Sequence, residues 1–362
     1  MAMLIDLNSL VNKEAEKAFY ERWQLLGVAD LSTQLPPIPW LCEAVGLAPG
    51  AVSLFAGYGY SRKTMALQAA AVSIAFGERL WGLFGSKQGR VLHLDYEQGR
   101  RVTQDRYQRL ARGMGVELAS LKEGSLTVGC MPKIYLDEEA AAEQLVRLCD
   151  GMTFAIVDSL RAAFPHADEN SSEVRSYLDV LNRVSERTGC CMAVIHHARK
   201  PNKDNADGAT FAIRGSSALF DACQSVYVFE GAKDTPTTVH HQKDRMRGVT
   251  CEDFGLTSED VSKGADPRWG LRVVHLEAQQ MAQQAGAEDD ARDSRAVDKA
   301  AEQIVTFLAS CEGGTFAGSR SDVRTLVHVK TGRFDRAWAK LVAAGVLVRQ
   351  GTHREPVWTV KS

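Results

Sequence analysis

The stretch Leu54-Phe55-Ala56-Gly57-Tyr58-Gly59-Tyr60-Ser61-Arg62-Lys63-Thr64-Met65 decides the reading of this chain. The short apolar run from Val52 to Ala56 predicts a buried strand, and the Ala-rich pattern from Met65 to Phe76 predicts a helix. Between them, Gly57, Gly59 and the Lys63-Thr64 pair fall at the spacing of a phosphate-binding loop, G-x-x-x-x-G-K-[ST]. Such a loop turns successive backbone N–H groups toward a polyanion at a helix N-terminus, where the dipole also favours negative charge. Residues 57–65 then form the cradle, Lys63 neutralises the outer phosphates and the Thr64 hydroxyl holds Mg²⁺. Arg62 stands where the pattern has its second glycine. Its side chain either points away from the phosphates or adds a second cation to them. An ordinary Gly-rich strand-to-helix turn is the bland alternative.

Further candidates for chemistry follow at the ends of later apolar runs. Asp158 closes Ala155-Ile-Val-Asp-Ser-Leu160, and a carboxylate at a buried strand end beside a phosphate loop is a usual partner of Mg²⁺. By itself the same pattern also fits an aspartate that caps the next helix. Glu97, in Leu92-His-Leu-Asp-Tyr-Glu-Gln-Gly99, sits where a carboxylate can orient and deprotonate an attacking water. Asp95 is its rival at the same strand end, and a plain loop glutamate is the alternative. His196 and His197 end the strand after Asp158, where a group sensing the outermost phosphate belongs, and no third residue at metal-ligand spacing accompanies them. Lys243 and Arg245, in His240-His-Gln-Lys-Asp-Arg-Met-Arg247, read either as a solvated hairpin edge or as cations offered to a neighbouring subunit's site.

Composition bounds the class. The chain has 362 residues, 45% hydrophobic and 24% charged, with a formal net charge of −2, so any nucleic-acid contact has to be local. Its eight cysteines form no C-x-x-C pair and sit mostly in apolar runs, which predicts reduced core residues of a cytoplasmic protein. No secretory leader and no membrane-spanning run is evident.

Short apolar strands alternate with helical stretches from Leu41 onward, at Val91–Leu94, Leu126–Gly129, Phe154–Val157, Met192–Ile195 and Val226–Phe229. That alternation predicts an α/β fold with a mostly parallel sheet covered on both faces and its ligand at the carboxyl ends of the strands. Four segments are expected: a helical lead-in over 1–39, a core over 40–280, a linker or exposed helix over 281–296 and a small domain over 297–362. Three helical stretches and a hairpin make the last segment a winged helix. Val297 to Ser362 holds ten Lys or Arg against six Asp or Glu. Lys330, Arg333, Arg336 and Lys340 recur at helical spacing, and Arg349, His353 and Arg354 decorate the hairpin. A basic helix and wing suit DNA phosphates, although winged helices also serve as protein-binding modules.

The ordered set of phosphate loop, Leu-Asp-Tyr-Glu, Ile-Val-Asp-Ser-Leu, Val-Ile-His-His, Ile-Arg-Gly-Ser-Ser-Ala-Leu and Gln-Lys-Asp-Arg resembles the RecA-fold ATPases of the plasmid RepA type, relatives of the DnaB replicative helicases. The resemblance spans about residues 40–280. It implies a homo-oligomer, usually a hexameric ring, with ATP and Mg²⁺ at subunit interfaces, DNA as a partner and a setting in replication or mobile elements. It also implies roles: Lys63 and Thr64 on phosphate and metal, Glu97 as catalytic carboxylate, Asp158 as Walker B acid. His196 or His197 would be the sensor, and Lys243 and Arg245 the finger pair given to the adjacent subunit. Arg214 lies in the family's Arg-Gly-Ser-Ser segment without an assigned role. Tyr60 and Arg62 depart from the family's glycines, which favours a rival reading: a slow, nucleotide-gated DNA-binding or regulatory protein. A phosphate-loop scaffold whose winged helix recruits a protein is a third.

Overall fold

Strand β1, Val52–Gly57, is buried along its whole length, as a strand flanked on both edges and covered on both faces has to be. Its side chains alternate between two cores. Val52, Leu54 and Ala56 join one cluster, and Phe55 joins the other. The computed structural model describes residues 16, 18, 19, 22–138, 140–165, 174–198, 217–232, 235–352 and 356–360. Five more strands run parallel with β1: β2 (Val91–Asp95), β3 (Leu126–Cys130), β4 (Phe154–Asp158), β5 (Cys191–His197) and β6 (Ser225–Glu230). Three antiparallel strands, β7 (Thr237–Asp244), β8 (Phe254–Lys263) and β9 (Asp266–Leu276), extend the sheet to the order β3-β2-β4-β5-β1-β6-β7-β8-β9. The chain is therefore an α/β protein with a mostly parallel sheet. β3 differs from its expected burial: it is the outermost strand, and its side chains are half-exposed or exposed.

Helix α1 (Lys63–Phe76) follows β1 and is buried nearly all round, its alanines allowing close approach to the sheet. On the same face, α2 (Arg100–Met114) packs on β9 backbone to backbone. A Cβ on Gly113 would meet the Leu271 carbonyl oxygen at 2.0 Å, so only glycine fits there. Arg109 and Arg112 of α2 donate to the carbonyls of Arg268 at 2.9 Å and Trp269 at 3.2 Å. These contacts tie the antiparallel extension to α2. Helices α3 (Ala141–Cys149) and α5 (Val174–Thr188) fill the other face, with α4 (Leu160–Ala163) and α6 (Ser217–Ala222) at strand ends.

Helix α7, Ala278–Ser310, is one unbroken helix of 33 residues, and the stretch 281–296 lies inside it. After it come β10 (Thr315–Ala317), α8 (Arg320–Leu326), α9 (Thr331–Ala343), β11 (Leu347–Gly351) and β12 (Pro356–Val360). The three strands pair antiparallel in the order β10-β12-β11. Ile304, Leu308, Val323, Phe334, Trp338, Leu341 and Leu347 form a separate small core, closed by the Trp338–Trp358 edge-to-face pair at 4.7 Å.

Residues 1–39 cluster as a unit apart from 40–362. Within that unit Val28–Ser32 forms one short helix, closed at its start by Asp30 accepting from the Gly27 N–H at 2.8 Å. Among the described residues no helix is long and apolar enough to cross a membrane.

Candidate functional site

Parallel register brings the carboxyl ends of four strands together: Gly57 lies beside His197, and Asp95 beside Asp158. The loop between β1 and α1 opens a cleft of about 420 Å³ there, within the usual range for small-ligand sites. Gly57 starts the loop because a Cβ would lie 2.4 Å from the Phe229 carbonyl oxygen and 2.9 Å from Ser61 Oγ. Tyr60 and Arg62 both take left-handed backbone angles, φ +68 and +63, the geometry for which the motif ordinarily uses glycine. Tyr60 is 76% exposed, so its ring stands out in solvent and does not fill the cradle.

Arg62 settles its own question of direction. Its guanidinium donates to Ser258 Oγ at 3.1 Å, to Thr237 Oγ1 at 3.2 Å and to the Thr235 carbonyl, which pins the loop to β7 and β8. A left-handed L-residue costs about 1–2 kcal/mol, and charged hydrogen bonds of this kind return about 1.5–3 kcal/mol each. The order of stability is therefore expected to be wild type, then Arg62→Gly, then Arg62→Ala, with about 1 kcal/mol between the two variants in urea unfolding. A more stable Arg62→Gly would show that the bonds do not offset the strain.

Lys63 is almost fully buried, and its ammonium donates to Gly57 O at 2.8 Å, Tyr58 O at 2.7 Å and Ser61 Oγ at 3.1 Å. Burial lowers it to about 8, opposed by Asp158 and Glu97. It stays mostly charged at neutral pH, and a bound phosphate can take over those acceptors' place. Asp158 is fully buried, and neither carboxylate oxygen has a hydrogen-bond partner. Burial raises it to about 7. The Thr64 side chain opposes the rise without the geometry of a hydrogen-bond partner. Two orphaned carboxylate oxygens beside the Thr64 hydroxyl are the donor set a hard divalent cation takes, so these residues fit Mg²⁺.

Glu97 lies just past β2. Its carboxylate accepts from the Ser159 hydroxyl and sits 3.0 Å from His197 Nε2, and the His197 bond is the first cause holding it below the usual carboxylate range. Its rival Asp95 is committed locally: it accepts from the N–H groups of Glu97 at 3.1 Å and Gln98 at 2.8 Å and from Thr103 Oγ1 at 2.7 Å. Strand alternation separates the two histidines. His197 faces Glu97, whereas His196 is buried with Nδ1 unpartnered and lowered to about 4 by desolvation. The contact to the carboxylate thus belongs to His197 and not to His196.

Sequence reading missed Arg106, which also lines the cleft. Its guanidinium donates to Gln98 Oε1 at 2.8 Å and Gln68 Oε1 at 3.2 Å. Five arginines lie on α2, and only packing distinguishes this one from Arg109 and Arg112. Ser159 was missed as well, since the serine after the strand-end aspartate carries no spacing signal of its own.

Lys243 and Arg245 do not reach this cleft. β7 runs antiparallel to β6, with Val239 beside Phe229 at the cleft edge and Lys243 beside Val226 at the opposite one. Lys243 donates to the carbonyls of Phe220 and Asp221, and Arg245 is exposed. Of the basic residues on the small domain, Lys330 and Arg333 are exposed at the start of α9, and Arg349 lies 6.0 Å from the Trp358 ring. Arg336 and Lys340 instead pair with Asp293 and Asp298 of α7, which corrects the expectation of one open basic face. Arg354, His353 and Arg214 lie outside the described residues.

A comparison with curated proteins finds no match. One solved structure similar to the chain is that of the RadB recombinase, at 15% identity and a TM-score of 0.42, covering 58% of this chain and 88% of that one. The family described as AAA domain matches residues 19–203. That span is more than half of the 362 residues and carries β1 to β5 with every cleft residue named above except Ser258. The chain belongs to the AAA domain family.

Proposed function

We propose that the chain is an ATP hydrolase of the RepA/DnaB-like kind, assembled as a ring with ATP between subunits and coupled to DNA. The observation that carries this reading is one constellation: a buried lysine in a phosphate loop, an unpartnered buried Asp158 and a Glu97 oriented by Ser159 and His197. Loop N–H groups and Lys63 hold the β and γ phosphates, and Arg106 adds a cation at the cleft wall. Thr64 and Asp158 hold Mg²⁺, which when bound supplies charge neutralisation of the phosphates. Glu97 orients the attacking water and takes its proton, while His197 relays the state of the outermost phosphate to Glu97. Lys243 and Arg245, on the far edge of the sheet, serve a second copy's cleft. A cytoplasmic setting agrees with eight free thiols, five of them buried.

The small domain supports a winged helix that contacts DNA through Lys330, Arg333 and Arg349. Arg336 and Lys340 are neutralised by α7. Replacing Lys330, Arg333 and Arg349 by Ala is expected to weaken duplex binding and to flatten its salt dependence by about one unit of slope per lost phosphate contact. Arg336→Ala with Lys340→Ala is expected to leave both near wild type. Fluorescence anisotropy across a salt series reads the two sets apart, and equal effects from them would sink this assignment. Point variants are preferable to truncation at 297, which would cut through α7.

One observation favours the slower, nucleotide-gated alternative. Hydrogen bonds from His197 and Ser159 hold Glu97 below its ordinary range, and a less basic carboxylate is a weaker general base.

A further inference from the structure

His93 stands in the middle of β2, paired to β3 on one side and β4 on the other, and is fully buried. The phosphate loop, the strand-end acids and the fingers make no use of it. Its Nδ1 lies 2.9 Å from the Tyr107 hydroxyl. Tyr107 is itself almost fully buried, and desolvation raises its phenol well above the usual value, so it remains a proton donor and Nδ1 accepts. In the neutral imidazole the ring hydrogen is then on Nε2. That atom has no hydrogen-bond partner. Asp158 Oδ2 lies 4.0 Å away, and it too has none. A buried donor and a buried acceptor, both unpartnered, face each other about 1 Å beyond bonding distance.

We propose that His93, locked in its Nε2–H tautomer by Tyr107, is the positioning residue for Asp158. A small inward rotation lets Nε2 donate to Oδ2, which fixes the carboxylate plane and leaves Oδ1 directed to the cation side with Thr64. Position 93 would otherwise hold an apolar residue like its neighbours Leu92 and Leu94. An apolar side chain there fills the space but leaves the carboxylate free to turn. This inference rests on the reading of Asp158 as the metal-side acid of the nucleotide cleft.

The test measures binding of a fluorescent ATP analogue with and without Mg²⁺ for wild type, His93→Leu, His93→Gln, Tyr107→Phe and Asp158→Asn. His93→Leu is expected to weaken the Mg²⁺-dependent part of binding about 10-fold or more, the usual size of such outer contacts, with metal-free binding unchanged. His93→Gln places an amide N–H near the Nε2 position and retains most of the effect. Tyr107→Phe, which frees the tautomer, falls between. Thermal unfolding checks that each variant folds. If His93→Leu does not fold, the contrast of His93→Gln with Tyr107→Phe carries the test. Wild-type Mg²⁺ dependence in His93→Leu or in Tyr107→Phe, alongside its loss in Asp158→Asn, overturns the positioning role alone. An unchanged Asp158→Asn overturns the reading of Asp158 and this inference with it.

Discussion

Exchanging Glu97 for Gln is expected to lower ATP turnover by about 10²–10⁴-fold, the range for loss of a positioned general base, while nucleotide affinity stays within a few-fold. The amide keeps the length and one acceptor of the carboxylate, so Ser159 can still donate to it. It cannot take a proton. The groups proposed to hold phosphate, Lys63 and the loop N–H groups, are untouched. Steady-state turnover and equilibrium binding, measured on the same preparation, separate the two effects. A sign follows for pH as well. The folded-state value of Glu97 is lowered, chiefly by the His197 bond, so the base stays ionised as pH falls through the ordinary carboxylate range. The acid limb of the rate profile is expected to begin below that range. Turnover that survives Glu97→Gln would move the proton transfer to another group.

A second large effect is expected from Lys243 and Arg245. Their replacement by Ala should reduce turnover by roughly 10³-fold or more without weakening ATP binding to the isolated protomer. The direction of β7 supplies the argument: its last residues lie at the sheet edge opposite the phosphate loop of the same chain. Arg245 is exposed there, and Lys243 is held against Phe220, 4.9 Å from the ring centroid. Neither can reach its own cleft, so any catalytic effect has to cross between subunits. Mixing the Arg245→Ala protein with the Glu97→Gln protein tests this. Some interfaces then combine an intact Glu97 from one chain with an intact Arg245 from the other, and part of the activity returns. Two inactive proteins that stay inactive when mixed would remove the trans role.

The parts of this molecule that were legible in the sequence are those with local causes. A run of apolar residues followed by Gly57 and Lys63-Thr64 reports both a buried strand and the turn that leaves it, because the motif is contiguous. The strand-end positions of Glu97, Asp158 and the His196-His197 pair were legible for the same reason, but which histidine meets Glu97 was not. β8 and β9 were not, since they expose charged residues such as Glu259 and Arg272 and carry no clean alternation. The direction of Arg62 needed the position of β7 and β8, and the place of Arg106 at the cleft needed the packing of α2. Helical spacing put Arg336 and Lys340 on one face correctly. What that face meets, Asp293 and Asp298, lies more than forty residues earlier in the chain and leaves no local trace. His93 is the clearest case. Within Leu92-His-Leu94 it reads as one polar residue in an apolar strand, and only the fold sets it between Tyr107 and Asp158.

A phosphate loop with Arg62 and Tyr60 in glycine's places is expected still to support ATP hydrolysis. Steady-state ATP turnover of the wild-type protein tests it most directly, with and without Mg²⁺ and with single-stranded or duplex DNA, against Lys63→Ala as the baseline. Turnover is expected to require Mg²⁺, to rise with DNA and to vanish in Lys63→Ala. Wild-type turnover equal to that of Lys63→Ala under every condition, with ATP still bound, would contradict it.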